Sequence, residues 1–278
     1  MSPPFRVLTL LLCLAAPVLS GCGDSDKKKA ALATPPVEEL YNNALDALNE
    51  RRFATASQQF TAVEQNYPFS SWAVNAQMMQ GYSSYIQNKY SDAITALDHF
   101  SQLHPAHRDA AYVYYLRALS YYEQIADIQR DQKGTEQAMN ALQEVVTRFP
   151  NSAYAQDARL KIDLCRDHLA GKEMEIGRYY QQQHLYQSAI GRFQRVVDEY
   201  QTTNHVPEAL HRLVELYLTL GLRDSAKKTA AVLGYNDPGS EWYKTTYDNL
   251  VAAGEAPGSL PIPTRARSAL GRAWQNLF

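Results

Sequence analysis

The chain has 278 residues, 45% of them hydrophobic, with a formal net charge of −2. That composition can fill a large core, and the near-even charge argues against nucleic acid or an anionic membrane surface as the partner. Tyrosine is abundant, 19 against 8 phenylalanines. Its broad face and polar tip suit half-exposed protein-binding surfaces, and equally helix packing with the hydroxyl at the rim.

At the N-terminus, Arg6 precedes the apolar run Val7 to Ala16, too short to span a bilayer and of the length of a signal-peptide core. The run leads to Leu19-Ser20-Gly21-Cys22. This string resembles the lipobox of bacterial lipoproteins. The resemblance implies that residues 1–21 are cleaved and that Cys22 becomes residue one, carrying an S-diacylglycerol and an N-palmitoyl chain. Gly23 after the cysteine permits sorting to the outer membrane, although Asp24 follows it. Of three cysteines, Cys13 leaves with the signal and Cys22 is lipidated, so Cys165 has no partner for an intrachain disulfide. Residues 22–36 are polar, lysine-rich and end in two prolines; they read as a lipidated tether with a reach of about 45 Å.

From Val37 an alanine followed twelve residues later by a proline recurs: Ala56/Pro68, Ala93/Pro105, Ala138/Pro150 and Ala226/Pro238, with Ala189/Gln201 keeping the spacing but not the proline. Phe53, Tyr90 and Tyr186 lie three residues before their alanines; Phe60, Leu97, Leu142 and Phe193 lie four after. Small residues let two antiparallel helices approach, and proline ends the second of them. In the first unit Leu40, Ala44, Ala47, Phe53, Ala56, Phe60, Val63 and Pro68 fall at positions 4, 8, 11, 17, 20, 24, 27 and 32 of a 34-residue repeat. That is the tetratricopeptide pattern. The predicted fold is all-α: a right-handed superhelical solenoid of five such repeats, about ten helices. Thr55, Ser91, Thr135 and Ser188, or their neighbours, are expected to cap the second helices.

Successive alanines are 37, 45, 51 and 37 residues apart. Because alanine to proline stays at twelve, the extra length belongs to first helices or the loops beside them. The polar stretch Asp127 to Gly134 reads as an enlarged loop inside the third hairpin. Between Ser152 and His184 no proline occurs, and Ala158, Ile162, Cys165, Leu169, Ile176 and Tyr180 keep helical spacing. One very long helix, or two nearly continuous ones, is predicted to join repeats three and four, with Cys165 packed on its apolar face. The organisation is then repeats one to three over 37–151, the long helix with repeats four and five over 152–240, and a C-terminal region over 241–278. That last region holds a capping helix from Glu241 to Val251, a proline-containing linker, and an amphipathic segment from Thr264 to Phe278. The segment either docks on a partner or membrane surface or packs back on its own solenoid.

No phosphate loop, dinucleotide fingerprint or nucleophile elbow occurs. His104 and His107 look like metal ligands but span a repeat junction, and the seven histidines lack a carboxylate cluster. Neither an enzyme, a cofactor nor a metal is expected. A binding surface is more legible. First-helix positions near 2, 5, 9 and 12 point inward in such solenoids, and they select Tyr41, Met78, Tyr82, Tyr85, Tyr112, Tyr115 and Tyr122. This trough suits an extended, partly aromatic peptide, unless helix stacking consumes the rings.

Four strings close or open the repeats: Tyr67-Pro68-Phe69-Ser70, Leu103-His104-Pro105-Ala106-His107, Arg148-Phe149-Pro150-Asn151-Ser152 and Glu175-Ile176-Gly177-Arg178-Tyr179-Tyr180. With the lipobox, tether and five repeats, they resemble the BamD family, the tetratricopeptide lipoproteins of the β-barrel assembly (BAM) machinery of Gram-negative bacteria. The resemblance covers Val37 to about Ser240; the C-terminal region and Gln201 depart from it. It implies a non-catalytic scaffold, lipid-anchored at the periplasmic face of the outer membrane. Its N-terminal repeats would bind the C-terminal targeting segments of unfolded outer-membrane β-barrel proteins. Its C-terminal repeats would dock on the POTRA domains of BamA beside other BAM lipoproteins. Arg192, in Ala189-Ile190-Gly191-Arg192-Phe193, falls where the family places an arginine at that contact, and without the family it reads as a solvated helix arginine. The long helix would couple the two ends. Two other classes remain open: a pilotin-type lipoprotein that assists secretin assembly, and a periplasmic cell-wall enzyme or its activator, for which no segment has room.

Overall fold

The turn that ends each first helix decides the architecture. The computed structural model describes residues 35–255. Helix α1 (Val37–Asn49) runs to Glu50, then Arg51 takes a left-handed φ of 60°, and the Arg52 amide donates back to the Ala47 carbonyl at 2.8 Å. This αL turn satisfies carbonyls that a helix end would orphan and reverses the chain within three residues. It feeds α2 (Phe53–Asn66). Helices α3 (Ser71–Ile86) and α4 (Tyr90–Leu103) are joined by the same turn at Asn88. It recurs at His184 between α7 (Ala153–Gln182) and α8 (Tyr186–Glu199), and at Gly221 between α9 (Val206–Thr219) and α10 (Arg223–Asn236). The third hairpin differs: α5 (Ala110–Tyr122) and α6 (Lys133–Arg148) are separated by the enlarged loop, two residues of which, Lys133 and Gly134, already belong to α6. Helix α11 (Glu241–Ala252) closes the array.

The second helices α2, α4, α8 and α10 are each 14 residues long, while α7 alone has 30. The constant alanine-to-proline spacing thus marks nearly constant second helices, α6 having 16 residues, and α7 is a single helix. Each helix packs on the next, and α1, α3, α5 and α7 also touch in sequence. The core accordingly falls into four clusters along the axis, centred on Phe60, on Leu97 with Phe100, on Leu142 with Val145, and on Phe193 with Leu213. This is the arrangement of a tetratricopeptide solenoid, in which each unit contacts its neighbours. Close approach within hairpins depends on small residues: a Cβ on Gly81 would lie 2.6 Å from Leu97, and one on Gly177 would lie 2.5 Å from Phe193.

The caps correct the sequence reading. Among the second helices of the first four hairpins, none has a side-chain cap bond at its N-cap residue, which is Arg52, Lys89, Gln132 or Leu185. The caps sit instead on first-helix starts: Ser70, Ser152 and Ser240 accept from the amides of Ala73, Ala155 and Tyr243. A serine cap needs extended backbone. Ser70 has it, with ψ of 151°, whereas the αL turn delivers Arg52 at ψ of 60°. At the junction without proline, the Thr203 hydroxyl donates to the Tyr200 carbonyl at 2.9 Å, as Ser70 does to Tyr67 at the same distance. The turn forms without Pro.

The enlarged loop straps the middle of α7. Lys172 Nζ donates to the Gln129 carbonyl at 2.9 Å, His168 Nδ1 lies 2.8 Å from Gln132 Oε1, and Ile128 sits where a Cβ on Gly171 would be. His205, before α9, meets the same glycine. Between repeats two and three, half-buried Arg117 reaches Asp98 on α4 at 2.7 Å and Glu144 on α6. Among the described residues no helix is long and apolar enough to cross a membrane.

A candidate peptide-binding face

The first helices α3, α5 and α7 each send rings to one face, because residues three and four apart on a helix share a side. Tyr82 and Tyr85 come from α3, Tyr112 and Tyr115 from α5, and Tyr154 from the first turn of α7. Tyr154 joins them: it stacks on Tyr115 with centroids 5.2 Å apart and planes at 27°, and tilts against Tyr112 at 5.6 Å. All five are half-buried, neither lost in the core nor fully open. Met78 and Val74 pack beside Tyr82, Tyr85 and Tyr112 over a floor of Leu97, Phe100, Val113 and Leu116.

Burial raises the Tyr112 hydroxyl well above the ordinary tyrosine range, helped by the neighbouring Tyr82, Tyr154 and Tyr85. Tyr115 is raised by burial and then by its hydrogen bond to Asp157. Tyr85 is raised by burial and by the Glu123 carboxylate beside it. The hydroxyls of Tyr85, Tyr112 and Tyr115 therefore stay protonated, and the face is rimmed by Glu123, Asp157 and Lys161. Lys161 lies 3.5 Å from Asp157 and its Nζ stands 5.1 Å above the Tyr122 ring. Such a surface can take aromatic side chains by edge and offset contact while its hydroxyls bond a peptide backbone.

Of the seven residues expected in the trough, Met78, Tyr82, Tyr85, Tyr112 and Tyr115 come together. Tyr122 stands at the rim under Lys161. Tyr41 does not join: its ring is held by Phe60 at 5.6 Å and Trp72 at 4.9 Å inside the first hairpin and the next helix. Tyr154 and Asp157 lie outside the positions that the repeat spacing selects, because 152–184 reads from the sequence as a connector. Its first two turns act as the first helix of a further unit, and Ala158 at 0% exposure, followed by Ile162, marks that register.

Arg192, on α8, donates to Glu173 of α7 at 2.9 Å, and Arg195 holds the other oxygen of that carboxylate at 3.2 Å. It is a partly exposed bridge between two helices rather than a free surface charge. Cys165 is 1% exposed, and burial pushes its thiol up to about 11 against the lowering effect of Lys161, which fits a packing role. His104 and His107 flank the Phe100 ring at 5.1 and 5.3 Å. Cys22 lies outside the described residues, as does the Thr264–Phe278 segment.

Residues 34–233 match the family model described as YfiO, outer membrane lipoprotein. The outer membrane protein assembly factor BamD of Caulobacter vibrioides is 46% identical over 267 residues, covering 95% of this chain and 88% of its own length. The protein of the same name from Rickettsia prowazekii is 44% identical over 242 residues, covering 87% of this chain and 95% of itself. Among solved structures, TTC0263, a thermophilic TPR protein of Thermus thermophilus, aligns with a TM-score of 0.36 at 17% identity, over 78% of this chain and all of that one. A likeness of that degree adds nothing to the fold described above.

Proposed function

Because the chain belongs to the BamD family of outer membrane protein assembly factors, we propose that its ring-lined face on α3, α5 and α7 captures the C-terminal segments of unfolded outer-membrane β-barrel proteins. The observation that carries this reading is the cluster of Tyr82, Tyr85, Tyr112, Tyr115 and Tyr154. Five half-buried rings from three successive first helices suit a strand whose alternate side chains are aromatic. Arg192, through POTRA domains, joins the C-terminal repeats to BamA, the barrel-forming insertase, and lipidation at Cys22 holds the assembly at the periplasmic face of the outer membrane beside the other BAM lipoproteins. The role is non-catalytic: α7 carries one end of the scaffold to the other. The relatives, all assembly factors, favour this over secretin escort.

The test of capture is fluorescence anisotropy with a labelled peptide of alternating aromatic residues. Replacing Tyr82 and Tyr115 together by Ala should weaken binding at least tenfold, about 1.4 kcal/mol, with helicity unchanged. Equal binding by a folded double variant would overturn it. For the anchor, a Cys22→Ser chain should lose its lipid mass and leave the membrane fraction.

A further inference from the structure

The helices before α7 pack among themselves, the helices after it do the same, and both groups pack on α7. Each length of α7 is clad by its own group. Ala158, Ile162 and Cys165 lie in the core with residues of α5 and α6, and Met174 lies in the core with residues of α8 and α9. Between these lengths stands Gly171. A glycine inside a helix is less favourable than alanine by about 1 kcal/mol, because its backbone has more freedom to lose. The two groups are therefore joined through a helix that is intrinsically weak where one group gives way to the other.

Two segments, one from each group, close on that point. Asp167, His168, Gly171 and Lys172 share one side of α7. From the N-terminal group comes the loop between α5 and α6. Lys172 Nζ donates to the Gln129 carbonyl at 2.9 Å, and Ile128 sits where a Cβ on Gly171 would be. From the C-terminal group comes the junction between α8 and α9. The Asn204 amide donates to Asp167 at 3.3 Å, and His205 Nε2 stands 3.8 Å from the same carboxylate. That nitrogen is also 3.1 Å from the place of a Gly171 Cβ. The glycine thus leaves one notch, and each half of the solenoid fills part of it.

One side chain shapes the loop and fastens it. Gln132, 9% exposed, donates through Nε2 to the carbonyls of Asp127 at 3.1 Å, Ile128 at 3.3 Å and Arg130 at 3.0 Å. Its Oε1 accepts from the Thr135 hydroxyl and lies against His168 Nδ1, both at 2.8 Å. A buried amide engaged at both ends holds its surroundings to one arrangement. Here it carries Ile128 into the notch and ties the loop to α7.

We infer that Gln132 and Gly171 are positioning residues, which hold the ring face and the C-terminal repeats at one angle by clasping the middle of α7 from both halves. The clasp belongs to the scaffold and stands whether or not the ring face takes a peptide.

Nitroxide labels on cysteines placed at exposed Asn140 of α6 and Lys228 of α10 read that angle as a distance distribution. The measurement is double electron–electron resonance on the full mature chain with Cys22→Ser; Cys165, 1% exposed, stays unlabelled. The parent should give one narrow distribution. Gln132→Ala releases the loop and should widen the distribution about twofold, with helicity by circular dichroism unchanged. Gly171→Ala is the sharper variant, because it strengthens the helix while displacing Ile128. If the clasp holds the angle, this change also widens or shifts the distribution. If α7 holds it unaided, the distribution narrows or stays as it was. A distribution unchanged in Gln132→Ala, or unchanged or narrower in Gly171→Ala, overturns the inference.

Discussion

The first-helix face differs between the two halves of the solenoid. On α3, α5 and the start of α7 it is a patch of rings with an acidic rim. On the end of α7, α9 and α11 it is a closed network of charges. Arg178 Nη1 meets both oxygens of Glu208 at 3.0 and 3.1 Å, Arg212 reaches Glu215 at 3.0 Å, and Gln181 reaches the same carboxylate at 3.3 Å. Buried His211 faces Glu215 with Nε2 at 3.3 Å and Thr246 with Nδ1 at 2.7 Å, while its ring lies 5.3 Å from Trp242. The same scaffold thus leaves one face wanting a cover and spends the other on itself. A face whose polar groups pair mostly among themselves leaves few for a partner, although buried Arg212 Nε has no hydrogen-bond partner; a face of half-buried rings gains from any partner that dries them.

The comparison breaks hardest from inside the closed half. Phe193, fully buried, fills the space that Gly177 leaves on α7. Phe193→Ala should cost about 3–5 kcal/mol, read as a fall in the urea midpoint. Because solenoid units couple only to neighbours, peptide binding at the ring face should survive in the fraction that stays folded.

A change of pH separates the halves next. Burial alone would raise the Glu215 carboxyl, but hydrogen bonding and charge from His211, then Arg212, outweigh it and bring the group down to about 2. A carboxyl lowered in the folded state contributes stability above its unfolded pKa near 4.5 and loses it as pH falls toward 2. The contribution is about 3 kcal/mol. Unfolding midpoints at pH 6 and pH 3 should therefore lie closer together in Glu215→Gln than in the parent. Equal pH dependence would show that the Glu215 carboxylate does not stabilise the charge network around α9.

Much of this contrast was legible in the sequence, and what was not has physical reasons. The alanine-to-proline spacing locates hairpins because a small residue and a helix stop are needed at fixed distances in each one. The insertions were legible too, since four of the five second helices have one length. The ring face was only partly so. Position in a repeat selected Tyr41 along with Tyr82 and Tyr112, but Trp72 and Phe60 claim its ring. Tyr154 was hidden because α7 is one continuous helix, whose opening turns serve as a first helix without any loop to announce it. The serine caps were misplaced because identity alone does not say which junction has extended backbone.

On the open face, Tyr115→Phe keeps the ring and removes the bond to Asp157. Stability should fall by about 1 kcal/mol and peptide affinity should stay within about threefold if stacking carries capture. A loss as large as that of the Tyr82/Tyr115 alanine pair would mean that the hydroxyl, not the ring, is the recognition element.

The smallest effect on stability is expected at Arg192, and that makes it the cleanest probe. Its pair with Glu173 is partly exposed, and Arg195 stays on the other oxygen when Arg192 is removed. Exposed pairs of this kind contribute about 0–1 kcal/mol, so Arg192→Ala should leave the urea midpoint almost unmoved. Charge reversal is the poorer choice, because a glutamate there would face Glu173 and disturb α7 against α8 on its own account. With Arg192→Ala, a loss of co-purification with the insertase at unchanged stability would assign the arginine to that contact. Retention of the partner by Arg192→Ala, together with its loss in Glu173→Gln, would instead give Arg192 a purely internal role, bridging α8 to the long helix.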